Sequence, residues 1–213
     1  MRIWGRRNSI NVQKVLWAAD EIGLDYEHID AGGDAGGLDE PAFRAMNPHG
    51  RVPVIDDGGV VVWESNAIVR YLCARYAEGG LCPAGAVGRA QADQWMDWAL
   101  ADFQRDFMFV FWAWYRMPAA KRNMPAVEAT WARVGEHLGL LDRELARRPY
   151  LVGEAFTMAD IPAGTMLYRL FELELERPEA PHVQAWYARL SERSAYQAHV
   201  MRPFGELFGR LAF

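Results

Sequence analysis

Residues 47 to 68 hold the groups of this chain best suited to recognising a ligand. Pro53 opens a β-branched run and donates no amide hydrogen; with a cis bond before it, Val52 can turn its own amide and carbonyl outward to an extended ligand, which is recognition by strand addition. Glu64, Ser65 and Asn66 then open a helical pattern, whose N-terminus would offer free amides and partial positive charge to a carboxylate. Upstream, Ser9 and Asn11 stand between the short apolar start Ile3-Trp4 and a periodic apolar run. A hydroxyl and an amide at that point can cap a helix or donate to an anion held at its N-terminus, and the two roles are compatible. A Val-Pro step ahead of a hairpin is equally a plain strand entry, so the separation of these groups along the chain calls for a fold that gathers them.

The elements that must do so are legible in outline. Ile3-Trp4 begins a strand, Val12, Val15, Leu16, Ala19 and Ile22 recur at helical spacing up to a stop at Gly23, and Tyr26 to Asp30 reads as a second strand. Ala31 to Gly37 is a glycine-rich loop, and Glu40 to Met46 a short helix. Val54 to Asp56 and Val60 to Trp63 are strands joined by the turn Asp57-Gly58-Gly59, followed by a helix with Ile68, Val69, Leu72 and Cys73 on one face. Breakers between Glu78 and Gly85 mark a linker. Helices are expected over about 87 to 117, 125 to 147, 157 to 174 and 180 to 192, with a short C-terminal piece. Thr157-Met158-Ala159-Asp160 reads as a capping box flanked by Phe156 and Ile161 at staple positions, which assigns Asp160 to folding.

Composition narrows the class of function. The 213 residues are 51% hydrophobic, enough for two modest domains, and the formal net charge of −5 leaves no footprint for nucleic acid. No run of about 18 apolar residues suits a membrane span, and the N-terminus lacks a secretory signal, so a cytoplasmic protein is expected. Cys73 and Cys82 are the only cysteines and form no metal-ligand cluster; they read as a core thiol and a linker thiol.

Val52-Pro53 followed by Glu64-Ser65, within this order of elements, resembles the cytosolic glutathione transferases over nearly the whole chain. The resemblance implies an α/β thioredoxin-like N-terminal domain over residues 1–79, with a four-stranded mixed sheet, and an all-α domain over 87–213 carrying the second-substrate site. It implies that Val52, ahead of a cis Pro53, pairs with the cysteinyl backbone of glutathione. Glu64 and Ser65 would hold the γ-glutamyl ammonium and carboxylate, and Arg51, helped by His49, would lie near the glycyl carboxylate. Ser9 matches the activating hydroxyl of serine-type members, and Asn11 an asparagine whose amide also points at the sulfur. Ser9-Ile10-Asn11 is most similar to bacterial theta- or nu-like subgroups in which serine or threonine is followed by proline and asparagine; Ile10 stands in place of the proline.

The activity implied by this resemblance is that of an enzyme which binds glutathione as its thiolate and conjugates it to a small hydrophobic electrophile, with no metal. A glutathione-dependent reductase of disulfides or peroxides, and a catalytically weak glutathione-binding module, are the alternatives, and a homodimer is the family expectation. Phe103, Phe107, Phe111 and Trp114 share one side of an unusually aromatic helix and are expected to line the second-substrate pocket, although the same face could pack inside the helical domain. Arg6, Arg7 and Arg105 could favour an anionic second substrate, but solvated surface charge is the better default for any one of them.

Overall fold

The computed structural model describes residues 1–211. Strand β1 (Arg2–Trp4) leads to helix α1 (Ile10–Ile22) and strand β2 (Glu27–Ile29), and helix α2 (Pro41–Met46) precedes strands β3 (Val54–Asp57) and β4 (Val60–Trp63) and helix α3 (Ser65–Tyr76). The four strands form the mixed sheet that the resemblance implies, in the order β2-β1-β3-β4, with β1 parallel to β2 and antiparallel to β3. Its hairpin closes on Gly58 and Gly59, with φ of 63° and 95°, where a two-residue turn needs positive φ. Asp56 Oδ1 accepts from the Gly59 amide at 2.7 Å and completes the turn.

Among the described residues every regular element after residue 84 is helical: α4 (Gly85–Trp98), α5 (Gln104–Val110), α6 (Met124–Leu145), α7 (Asp160–Glu172), α8 (Pro181–Ser191) and α9 (Ser194–His199). The expected helix over 87 to 117 is α4 and α5 run together, because the joining segments Ala99–Phe103 and Phe111–Arg116 are π-helical and the backbone stays in the right-handed helical region between them. Such wider turns recur at functional sites. Among the described residues no helix is long and apolar enough to cross a membrane.

The two halves share a core. Ile10, Trp17, Val69 and Cys73 from the sheet half belong to the same buried cluster as Phe103, Met166 and Leu190 from the helical half. Trp17 carries most of this junction, stacked on Phe156 at 5.2 Å and edge-on to Tyr196 at 4.8 Å. As a result α1 is buried on every side, with Val12 through Ala19 all inaccessible, a pattern that a half-exposed helix would not show.

The segment ahead of α7 uses its polar groups as the sequence suggests, with one difference. Asp160 Oδ2 accepts from the Thr157 amide at 2.9 Å and Oδ1 from the Leu151 amide at 3.0 Å, so the carboxylate ties down two loops; the Thr157 hydroxyl accepts from the Ala159 amide and donates to Asp160 Oδ2, each at 3.4 Å, and does not reach the Asp160 amide. Asp160 is fully buried. Replacing it by alanine leaves both amides without an acceptor, and Asp160→Ala should lower the unfolding free energy by about 2 kcal/mol in urea titration, as the loss of buried charge-assisted hydrogen bonds predicts. An unchanged urea midpoint would contradict this role.

Candidate active site

The turn after β1 is pressed against the start of β3. A Cβ on Gly5 would stand 2.4 Å from Val12 Cγ2 and 3.2 Å from Val52 Cβ, so only glycine lets the chain reverse here beside Val52. Ser9 then occupies the N-cap of α1 with an extended backbone, φ −81° and ψ 123°, and its carbonyl accepts from the Gln13 amide at 2.9 Å. Its side chain does not cap: the hydroxyl makes no hydrogen bond among the described residues.

Asn11 is held by its oxygen. Oδ1 accepts from Lys14 Nζ at 3.1 Å, Gln104 Nε2 at 3.2 Å and Ser65 Oγ at 3.4 Å. Lysine can only donate, so the amide oxygen must face it and the Nδ2 hydrogens must point away; Nδ2 has no acceptor among the described residues. Lys14 is fully buried, and Nζ also donates to Gln104 Oε1 at 2.5 Å, closing a three-residue ring between α1 and the helical half. Burial pushes this ammonium from its ordinary 10.5 down to about 7, partly opposed by the charge of Glu64. Neither Lys14 nor Gln104 is marked as a site residue by sequence reasoning. The available signal is a lysine two residues after Val12 and directly before Val15, inside the apolar run.

The residues expected to grip the peptide lie on the other side of the same loop. Val52-Pro53 is a cis bond, and Val52 sits two residues before the first ladder pair, Val54 with Trp4. Asn47 braces the approach, donating from Nδ2 to the Arg51 carbonyl at 2.8 Å and accepting from the His49 amide at 3.0 Å. The His49 ring rests 5.2 Å from that of Trp63. Glu64, between β4 and α3, has φ 71°, the only positive value at a non-glycine position among the described residues. Such a conformation costs on the order of 1 to 3 kcal/mol and is retained where the surroundings impose it, often at ligand sites. Ser65 follows at the first position of α3, buried, with its hydroxyl against Asn11.

Two cavities meet at this point. One, of about 320 Å³, runs along Val52, Gly32, Gly33 and Leu38; the other, of about 340 Å³, is bounded by Phe111, Trp112, Arg116 and Arg169. Arg6, Ser9, Asn11 and Arg51 line both. The aromatic wall expected from the helix therefore contracts to Phe111. Phe103 and Phe107 are fully buried, in a ring ladder from Trp98 through Phe103, Phe107 and Phe111 to Tyr115, because that helix face turns into the core. Trp114 faces a separate depression with Arg122 and Glu172, with the Arg122 guanidinium 4.6 Å from its ring. Trp112, which helical spacing does not assign to the pocket, lines it from the π-helical segment Phe111–Arg116.

A thioredoxin-like sheet joined to a helical domain, with a serine and an asparagine at the head of α1, defines a class that comparison with known proteins makes specific. The family models for the glutathione S-transferase N-terminal and C-terminal domains match residues 1–74 and 103–194. Glutathione S-transferase GstB of Escherichia coli is 38% identical over 94% of this chain and 98% of its own, and glutathione S-transferase 3 of Zea mays is 32% identical over 94% and 93%. The theta class glutathione S-transferase of Xanthomonas axonopodis pv. citri, solved with glutathione bound, superposes with a TM-score of 0.90 at 51% identity, over 95% of this chain and 97% of that one. The chain belongs to the glutathione S-transferase family. It is a glutathione transferase.

Lys14 gives the site a pH signature in stability. Its folded value of about 7 lies below the 10.5 of the ordinary side chain, so between these limits the unfolded chain binds the extra proton and stability rises with pH. In Lys14→Met that rise should be missing: urea unfolding of the two proteins between about pH 7 and 10 should give a native profile steeper by up to one proton. Parallel profiles would show that Lys14 keeps an ordinary affinity for its proton.

Proposed function

We propose that glutathione lies along the Val52 edge with its sulfur at Ser9 and Asn11, held as the thiolate, and that it is conjugated to an electrophile entering from the Phe111 side. One observation carries this reading. The Ser9 hydroxyl and the Asn11 Nδ2 are both uncommitted donors, and both residues line the two cavities at their junction. A free thiol near pKa ~8.5 is mostly protonated at neutral pH, and donors fixed around the sulfur favour the nucleophilic thiolate. Lys14, one hydrogen bond behind Asn11, adds positive potential of the same sense while it holds its proton.

In this reading Val52 pairs with the cysteinyl backbone, Glu64 takes the γ-glutamyl ammonium, and Ser65 with the first amides of α3 takes the γ-glutamyl carboxylate. Arg51 and His49 serve the glycyl carboxylate. The thiolate then attacks the electrophilic atom, with Phe111 excluding water from the reacting centre. Conjugation is favoured over disulfide exchange through the protein because Cys73 and Cys82 are both buried and burial pushes the Cys73 thiol up to about 12. The reading extends to a homodimer, supported by Val60 and Val61, which are exposed on the edge strand β4, and by exposed Leu100 and Phe109.

Ser9→Ala should raise the pKa of bound glutathione by about one unit and lower kcat/KM about tenfold, each ~1.4 kcal/mol being a factor of ten. Spectroscopic titration of the bound thiol reads this directly; an unmoved titration would assign the sulfur to Asn11 alone. Ser65→Ala should act on binding instead, weakening glutathione by about 1.5 to 3 kcal/mol in calorimetry, the range for a hydrogen bond to a charged group. Equal affinity of the two proteins would remove Ser65 from the site.

A further inference from the structure

Three side chains behind the cleft close a ring of hydrogen bonds that permits one arrangement. Lys14 Nζ donates to Asn11 Oδ1 at 3.1 Å and to Gln104 Oε1 at 2.5 Å, and Gln104 Nε2 donates to Asn11 Oδ1 at 3.2 Å. With its oxygen turned to Lys14, Gln104 has only its nitrogen for Asn11, and that nitrogen donates. Turning either amide over would set donor against donor at Lys14. Asn11 is therefore oriented in part by a residue 93 positions along the chain, at the start of α5, which also lines the cavity on the Phe111 side.

Packing alone does not call for this ring. Lys14 is fully buried, within a run from Val12 to Ala19 that is buried throughout, and it makes no ion pair among the described residues. Holding an ammonium there is costly, since burial pushes it down to about 7, and an apolar side chain of similar reach would fill the same space without that cost. Gln104 is only half-buried and reaches in from the other half of the molecule. What the two supply together is an asparagine nitrogen left uncommitted at the junction of the two cavities.

We infer that Gln104 is a positioning residue for the transfer reaction: held by Lys14, it fixes the Asn11 amide with Nδ2 toward the glutathione sulfur, so the helical half completes the sulfur site of the sheet half. The inference rests on the reading that Asn11 donates to that sulfur. In this role Gln104 acts through Asn11 and needs no contact with the sulfur itself.

A double-mutant cycle tests this, read by spectroscopic titration of the bound glutathione thiol and by kcat with 1-chloro-2,4-dinitrobenzene. Asn11→Ala should raise the thiol pKa and lower kcat. Gln104→Met should move both the same way but less, because Lys14 and Ser65 still hold the Asn11 oxygen. About half a unit and about a threefold loss are expected, which are the same free energy. In the Asn11→Ala background Gln104→Met should change neither. Calorimetric affinity for S-methylglutathione, which presents no thiolate, should hold in every variant. Should Gln104→Met fail to fold, Lys14→Met decides in its place: its shift should be larger in the native background than with Asn11→Ala, where only the loss of its charge remains. A Gln104→Met titration matching the native protein, while Asn11→Ala moves, would overturn the positioning role and leave Asn11 at the sulfur. So would a Gln104→Met loss that persists in full beside Asn11→Ala, or one that appears equally in S-methylglutathione affinity. An Asn11→Ala titration matching the native protein would remove Asn11 from the sulfur and the positioning role with it.

Discussion

A lysine ammonium sealed from water must find its solvation in the protein, and in this fold it finds it in two amide oxygens. Lys14 donates to Asn11 on its own helix and to Gln104 at the first turn of α5, so one buried cation ties the head of α1 to the helical half. The bond to Asn11 has a chemical consequence. Because lysine offers hydrogens only, it claims the oxygen of the asparagine amide and leaves the nitrogen to face the cleft. Gln104 reinforces the choice by donating to the same oxygen while accepting from Lys14, and Ser65 adds a third donor from α3. The orientation of one side chain at the candidate sulfur site is thus enforced from three elements. A buried polar network of this kind is stabilising when its members are satisfied, and deleting one member strands the rest.

The ring can exist only because α1 is enclosed. The sheet covers one side, and Trp17, wedged between Phe156 and Tyr196, draws the helical half over the other. The same enclosure accounts for the ring ladder along the α4 to α5 helix. Phe103 and Phe107 are spent on the shared core, and the cavity receives Phe111 and Trp112, where the helix loosens into π-helical turns. The wall of the cleft thus spans regular helix at Gln104 and Met108 and the π-helical turn at Phe111 and Trp112. Its charge comes from arginines reaching in from two different stretches, Arg116 at the end of that helix and Arg169 on α7.

The architecture rests on local chemistry that a linear sequence displays. The Asp57-Gly58-Gly59 turn, the stop at Gly23, the Val52-Pro53 strand entry and the Asp160 cap all act within a few residues of themselves, so their physics is contained in their neighbourhoods. Ser9, Asn11, Val52, Glu64 and Ser65 are legible for the same reason, since a helix start and a strand entry are local events. The pairing of β1 with both β2 and β3 needs partners 25 and 54 residues away, as Arg2 with Glu27 and Asp56 shows, and is reached from sequence only through resemblance to a known fold.

What the tertiary structure alone decided is how each polar or aromatic side chain is used once distant elements close around it. Ser9 could have capped α1, and its hydroxyl is instead uncommitted at the junction of two cavities. A periodic run with a lysine in it reads as an amphipathic helix until both of its faces are covered, at which point Lys14 must become an internal donor. Phe103, Phe107, Phe111 and Trp114 have one helical spacing and three different fates, because spacing sets the face of a helix and only packing sets what that face meets. The sequence by itself determined the elements and the positions of the polar groups that open them. The meeting of Ser9 and Asn11 with Arg51 and Val52 along one cavity belongs to contacts between residues far apart in the chain, which no local pattern encodes.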